Sequence, residues 1–189
     1  MTDRASEMFA ETTLVLIKPD AVERSLTGQI LTRMEQVGLT IVAIKKIVAS
    51  KEQIAGHFPK DEGWIEGMGR KTLETYAQYG VDPIAELGSD SPLEIGQQIL
   101  GWNREYFGSG PVVVVAMRGL HAVDVVRKLI GDTLPYRAAP GTIRGDFSST
   151  SPAYANAARM AVKNMVHASG NLAEAEVELL NWFDKDEIV

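Results

Sequence analysis

Apolar residues along the chain fall into short runs and spaced stripes, with no long hydrophobic block. Residues 12–17, all β-branched or Leu, read as a short buried strand ended by the turn formers Pro19 and Asp20. Ile30, Leu31, Met34 and Val37 then recur at helical spacing, with Thr27 placed to cap the helix and Gly38 where a left-handed residue is wanted. Residues 39–48 return to strand composition, and residues 51–58 read as a short helix. The unbroken apolar run 112–117 predicts a central strand covered on both faces. Val123, Val126, Leu129 and Ile130 give one face of a further helix stopped by Gly131. Residues 134–141 form a Pro- and Gly-bearing loop, 142–147 a short strand, and 148–166 a loop leading into a helix. Asn171 and Glu174 make a capping pair for a last helix whose apolar stripe is Leu172, Ala175, Leu179 and Trp182.

Strand, helix, strand, short helix, strand, helix, strand is the order of an α+β sandwich of the split βαβ, or ferredoxin-like, type. It predicts a four-stranded antiparallel sheet covered by helices. Residues 59–108 interrupt this order with scattered Gly, Pro and acids and with most of the large aromatics, Trp64, Tyr76, Tyr79, Trp102, Tyr106 and Phe107. They read as a mostly helical insertion in one domain spanning residues 1–189.

Composition fits one soluble domain, with 189 residues, 45% apolar and 23% charged. The absence of Cys excludes thiolate zinc sites, iron–sulfur clusters, cysteine nucleophiles and disulfides. No apolar stretch nears the roughly 20 residues that span a bilayer, and the acidic N-terminus does not read as an export signal. The expectation is a cytoplasmic protein without a membrane partner. A net charge of −6 disfavours general nucleic-acid binding. Charge is unevenly spread, however: residues 106–170 hold seven Lys/Arg against three Asp/Glu, and residues 61–105 hold three against nine. A local positive field in an acidic chain suits a small polyanion such as a nucleotide phosphate.

No Walker-type phosphate loop, GxSxG elbow, HExxH or CxxC is present. Four local features remain, each with a plain structural explanation beside the functional one. Lys18 and Asp20 follow an apolar strand, where functional groups often enter a crevice, or where a strand simply exits into a turn. Arg144, flanked by Gly141 and Gly145, has room to fork onto phosphate oxygens or to pair with Asp146 in a tight turn. His167 has small neighbours that leave its imidazole accessible, though a single His is often structural. Glu178, at the edge of the last apolar stripe, could receive an imidazole N–H or be solvated. His57 and His121 read as surface residues at helix ends.

In combination these residues fall, in order, inside a set of motifs. They are Thr13-Leu14-Val15-Leu16-Ile17-Lys18-Pro19-Asp20-Ala21-Val22-Glu23-Arg24, Ser109-Gly110-Pro111-Val112-Val113-Val114-Val115-Ala116-Met117, Pro140-Gly141-Thr142-Ile143-Arg144-Gly145-Asp146-Phe147 and Asn164-Met165-Val166-His167-Ala168-Ser169, followed by residues 174–183. The chain resembles nucleoside diphosphate kinases over roughly 120 of its 189 residues. The resemblance implies a ping-pong transfer of the γ-phosphate of a nucleoside triphosphate, typically ATP, to a nucleoside diphosphate through a phosphohistidine at His167. It makes Glu178 the acceptor of the other ring proton, and Lys18 a contact to the γ-phosphate and ribose. Arg127 and Arg144 become phosphate grips, Thr133 a hydroxyl donor, Asn164 a ribose and phosphate contact, and Ser169 a neighbour of the histidine. Mg²⁺ is implied on the nucleotide phosphates with few or no protein ligands, as is a homo-oligomer, with a hexamer favoured over a tetramer or dimer. The alternative is a nucleotide-binding regulatory protein with little turnover.

The chain departs from the family pattern in four places. The usual His-Gly-Ser-Asp is His167-Ala168-Ser169-Gly170. Phe58 stands at a nucleotide-binding position usually held by a tyrosine, so a hydroxyl is lost. The segment that normally supplies a base-stacking Phe and a phosphate-binding Arg is replaced by residues 59–108, where Trp64, Tyr76, Tyr79, Trp102 or Tyr106 could stack and Arg70 or Arg104 could reach phosphate. A shorter insertion lies between Phe147 and Asn164.

Overall fold

The computed structural model describes residues 7–58 and 61–189. Its centre is a four-stranded sheet in the order β2-β3-β1-β4, built from β1 (Ala10–Ile17), β2 (Thr40–Val48), β3 (Pro111–Leu120) and β4 (Val166–Ala168). Every pairing is antiparallel. This is the ferredoxin-like α+β arrangement expected from the sequence.

The unbroken apolar runs of β1 and β3 are explained by cover on both faces. Val15, Ile17, Val113, Val115 and Met117 enter one core, under α1 (Pro19–Glu23), α2 (Thr27–Glu35) and α7 (Ala122–Ile130). Leu14, Leu16, Val112, Val114 and Ala116 enter the opposite core, under α3 (Lys51–His57), α6 (Pro92–Gly108) and α10 (Leu172–Trp182). A strand buried on both faces has no polar alternation left to show.

Several local expectations are corrected. Residues 142–147 are not a strand but hold the helix α8 (Ile143–Phe147), because the Thr142 hydroxyl accepts the Gly145 N–H and caps a first turn. The fourth strand is instead β4, which begins at the last residue of the stretch 148–166 read as a loop leading into a helix. That stretch also contains α9 (Pro152–Ala157), capped by Ser151. Thr27 does not cap α2: the N-cap is Leu26, and no side chain serves there. Leu172 lies outside the apolar stripe of α10 and is half exposed, whereas Ala175, Leu179 and Trp182 are buried. Asn171 does cap α10, accepting the Glu174 N–H, and Gly38 does take the left-handed conformation, at φ +88°.

Residues 61–108 form α4 (Glu62–Tyr79), α5 (Pro83–Leu87) and α6. Each starts on an Asp or Ser cap, Asp61, Asp82 and Ser91, and the last two are followed by Pro at the first helical position. Helices α4 and α6 cross closely through two glycines: a Cβ on Gly69 would strike the Pro92 carbonyl, and one on Gly96 the Ile65 carbonyl. A third, small core of Tyr76, Leu87 and Ile95 fills the lobe. Helix α9 leans on it, with Asn156 Nδ2 3.4 Å from Thr72 Oγ1 and Arg159 bonded to the Glu86 carbonyl at 3.1 Å. The lobe and the segment between Phe147 and Asn164 thus pack on each other. The lobe is tied to the sheet by the Tyr106 hydroxyl, which donates to the Asp20 carboxylate just past β1.

Candidate active site

The ends of β1, α3 and α7, the helix α8 and the short strand β4 converge on a cleft of about 530 Å³. Lys18, His57, Phe58, Arg127, Thr133, Arg144, Asn164 and His167 line it, together with Trp64 and Met68 of α4 and Asn103 and Phe107 of α6. Of the residues expected from sequence, Ser169 and Glu178 stand behind the lining, where they hold His167.

His167 is the middle residue of β4 and lies opposite Leu16 in the register with β1. Val166 and Ala168 point into the first core, so the alternation of a strand turns His167 to the face carrying α3 and α10. There its Nε2 lies 2.7 Å from Glu178 Oε1, and Ser169 Oγ donates to Glu178 Oε2 at 2.6 Å. A carboxylate so engaged accepts the Nε2 proton and leaves the lone pair on Nδ1. The His167 side chain keeps 26% exposure while Glu178 keeps 13%. The result is an accessible imidazole backed by a shielded carboxylate.

Positive charge gathers in the same cleft. Lys18 Nζ donates to Asn164 Oδ1 at 2.6 Å, and Asn164 Nδ2 donates to the Thr133 carbonyl at 3.0 Å. The ammonium also lies 5.1 Å from the Phe107 ring centre and 5.6 Å from that of Tyr106. Burial, reinforced by the nearby Arg144, pushes the Lys18 pKa down to about 7, against a smaller opposing pull from Asp20. Arg127 reaches the cleft from the last turn of α7.

Arg144 is more deeply engaged than a free phosphate grip. Its Nε donates to the Asn164 carbonyl at 3.2 Å, Nη1 to Gly131 at 2.8 Å and Nη2 to Val166 at 2.6 Å. Burial lowers its pKa to about 10, so it stays charged. The guanidinium therefore clamps the segment before β4 to the end of α7, and about two of its five N–H donors are left for a ligand.

The lobe contributes less than its aromatics suggested. Trp64 reaches the cleft. Tyr76 is buried in the lobe's own core, Tyr79 is exposed, Trp102 packs between the second and third cores, and Tyr106 is buried on Asp20. Arg70 pairs with Glu66 on the surface of α4, and Arg104 does not line the cleft. Sequence reasoning missed His57. Expected at the surface, its side chain is only 3% exposed and its ring lies 4.4 Å from that of His167. The signal available was its place next to Phe58, but its burial is made by α6 and α10. His121 is an exposed N-cap, 59% accessible.

A sheet-end cleft holding a carboxylate-backed imidazole beside clustered cations defines an enzyme of phosphoryl groups. Comparison with known proteins gives the family. The nucleoside diphosphate kinase family profile matches residues 11–64 and 97–188. A nucleoside diphosphate kinase of Pyrobaculum aerophilum is 46% identical over 182 residues, covering 96% of this chain and all of that protein. The crystal structure of an NDP kinase from that organism superposes with a TM-score of 0.92 at 44% identity, covering 95% of this chain and 99% of the other. Too little of the chain is left uncovered to exclude the lobe helices from that likeness. A Borrelia burgdorferi nucleoside-diphosphate kinase, solved as a transition-state mimic with bound vanadate and ADP, superposes with a TM-score of 0.76 at 31% identity over 96% of this chain and 92% of that one. The chain belongs to the nucleoside diphosphate kinase family. Its activity is that family's transferase reaction, passing the γ-phosphate of a nucleoside triphosphate to a nucleoside diphosphate.

Proposed function

We propose that His167 is the residue that carries the phosphoryl group between the two nucleotides. The observation that supports this best is the 2.7 Å contact between His167 Nε2 and Glu178 Oε1, which frees Nδ1 on an accessible ring. In the first half-reaction the Nδ1 lone pair attacks the γ-phosphorus, an N–P bond forms, and the bond from phosphorus to the β–γ bridging oxygen breaks, releasing the diphosphate. The second half-reaction reverses this: a terminal β-phosphate oxygen of the acceptor attacks phosphorus and the N–P bond breaks. No proton need move, because the Nε2 proton stays on the imidazole facing Glu178 throughout, and the carboxylate balances the charge that develops on the ring.

Lys18, Arg127 and Arg144 neutralise the transferring phosphates, while Thr133 and Asn164 position the phosphates and ribose. Transfer of this kind depends on placement and charge stabilisation more than on covalent chemistry by the protein. Mg²⁺ would be carried on the nucleotide's phosphate oxygens, where it neutralises their charge. The one group of three His or carboxylate side chains found among the described residues, His57, His167 and Glu178, is dominated by nitrogen and does not suit that cation. Among the lobe's candidate stacking residues, Trp64 is the one that lines the cleft, and it is the aromatic proposed to stack on the base. Residues 1–189 act as a single domain in the cytoplasm, and the protein works as a homo-oligomer, for which a hexamer is favoured. The half-exposed Ile44 and exposed Val48 on the edge strand β2 support assembly through that edge. No helix among the described residues is long and apolar enough to cross a membrane.

Isotope exchange between ADP and ATP in the absence of any other acceptor tests the ping-pong reading. Exchange in the wild type that vanishes in His167→Ala supports it. Exchange that survives in the variant would place the phosphoryl carrier elsewhere.

A further inference from the structure

His57, the last residue of α3, takes no part in the roles given above, yet it is the nearest ring to the nucleophile. Its side chain is 3% exposed and packed among four rings: His167 at 4.4 Å between centres, Phe107 at 5.0 Å, Phe58 at 5.4 Å and Trp182 at 5.7 Å. The His167 contact is edge to face, with the planes at 84°. Trp182 Nε1 lies 3.4 Å from His57 Nδ1. An indole N–H only donates, so His57 Nδ1 is an acceptor and the ring's single proton sits on Nε2. Burial, with His167 and Lys18 close by, holds the His57 pKa well below that of an ordinary imidazole.

This has two consequences for His167. An imidazole can flip about its last side-chain bond, which exchanges Nδ1 with Cδ2 and Nε2 with Cε1 and would take Nε2 off Glu178 and turn the Nδ1 lone pair away from the cleft. A ring standing edge to face at 4.4 Å obstructs that rotation. The second consequence concerns Glu178, whose Oε1 is 3.8 Å from His57 Nδ1 and 2.7 Å from His167 Nε2. Because His57 Nδ1 carries no proton, Oε1 has one proton to accept, that of His167, while Oε2 takes Ser169. A protonated His57 would divide that carboxylate and set a like charge against the imidazole as it becomes cationic.

We propose that His57 is a positioning residue for phosphoryl transfer: a neutral ring, its tautomer fixed by Trp182, that holds His167 with Nε2 on Glu178 and Nδ1 open to the nucleotide. The inference rests on His167 being the phosphoryl carrier. His57 reaches the cleft lining, but the role assigned to it acts through His167.

The test uses the full-length protein and two variants, His57→Ala, which removes the wall, and His57→Phe, which keeps it without nitrogen atoms. Phosphorylation by Mg-ATP is followed in a single turnover, ATP affinity is measured separately, and the tautomer of His167 is read from ¹⁵N shifts of its ring. In the wild type Nδ1 is unprotonated and Nε2 bears the proton. His57→Ala is expected to slow phosphorylation at least tenfold at nearly unchanged ATP affinity and to blur the single tautomer, and His57→Phe to recover most of the lost rate. His57→Ala reacting at the wild-type rate with the same tautomer would overturn the proposal. If His57→Ala does not fold, His57→Phe decides: a single wild-type tautomer with a rate within several-fold supports it, and a tenfold loss at unchanged ATP affinity refutes it. A wild type that never phosphorylates His167 would instead refute the underlying assignment of the carrier.

Discussion

Replacing Lys18 by Met should make the protein more stable and nearly inactive. In the cleft the ammonium is buried beside Arg144 and close to the Tyr106 and Phe107 rings, and burial with Arg144 pushes its pKa from 10.5 down to about 7. Between those two values the unfolded chain holds a proton that the folded protein has released, so this group makes stability rise with pH across that window. Below about pH 7 both states are charged and the full penalty remains. At about 1.4 kcal/mol per pKa unit the displacement has a ceiling on the order of 5 kcal/mol. Water in the cleft reduces it, and the lost Lys18–Asn164 hydrogen bond offsets about 1 kcal/mol more. A net gain of about 1–3 kcal/mol at pH 6 is expected, with Tm rising by about 2–4 °C per kcal/mol for a chain of this size. Denaturant titrations of both proteins at pH 6 and pH 9.5, at one protein concentration, would show a large difference at the lower pH that shrinks at the higher. Turnover should fall by a factor on the order of 10² or more, because a charge aimed at the transferring phosphate is lost. A variant no more stable than wild type at pH 6, or a difference independent of pH, would refute the claim that the site is built at the expense of stability.

The lobe should matter for nucleotide binding more than for chemistry. Trp64→Ala should weaken nucleotide affinity by about 1–3 kcal/mol, the usual worth of one stacked base, with little effect on the rate of phosphorylation at saturation; equilibrium titration and single-turnover kinetics separate the two, and unchanged affinity would move the base elsewhere. Gly69→Ala forces a methyl into the Pro92 carbonyl and should part α4 from α6. A destabilisation of about 1–3 kcal/mol, as for overpacking elsewhere, together with a raised KM is expected, and a wild-type melting curve with wild-type KM would show that the crossing tolerates the change.

How far the sequence revealed this arrangement depended on the range of the interactions involved. The strands β1 and β3 are legible because their burial is written into consecutive apolar residues, and the helices α7 and α10 because their stripes persist over several turns. Three-residue β4 is too short for any periodicity to register; it is a strand only because Leu16 and its neighbours offer it an edge. Residues 142–147 misled because Thr142 and Ile143 are β-branched, while the hydroxyl of Thr142 caps a helix instead. The cleft residues were legible as ordered motifs, and Lys18, Arg127, Thr133, Arg144, Asn164 and His167 do meet in one cleft. What Arg144 does there was not legible, since its three carbonyl partners come from Gly131, Asn164 and Val166. His57 was misread for the same reason: locally it ends a helix like any surface cation, and the Trp182 that buries it lies 125 residues away.

The most direct measurement is the intact mass of the wild-type protein and of His167→Ala after brief exposure to Mg-ATP, before and after a chase with GDP, with the phosphate located by peptide mapping. The account predicts one acid-labile phosphoryl group on wild-type His167, removed by GDP as GTP, and none on the variant. A wild-type protein that binds ATP without gaining mass, or a variant that gains the same group, would contradict it.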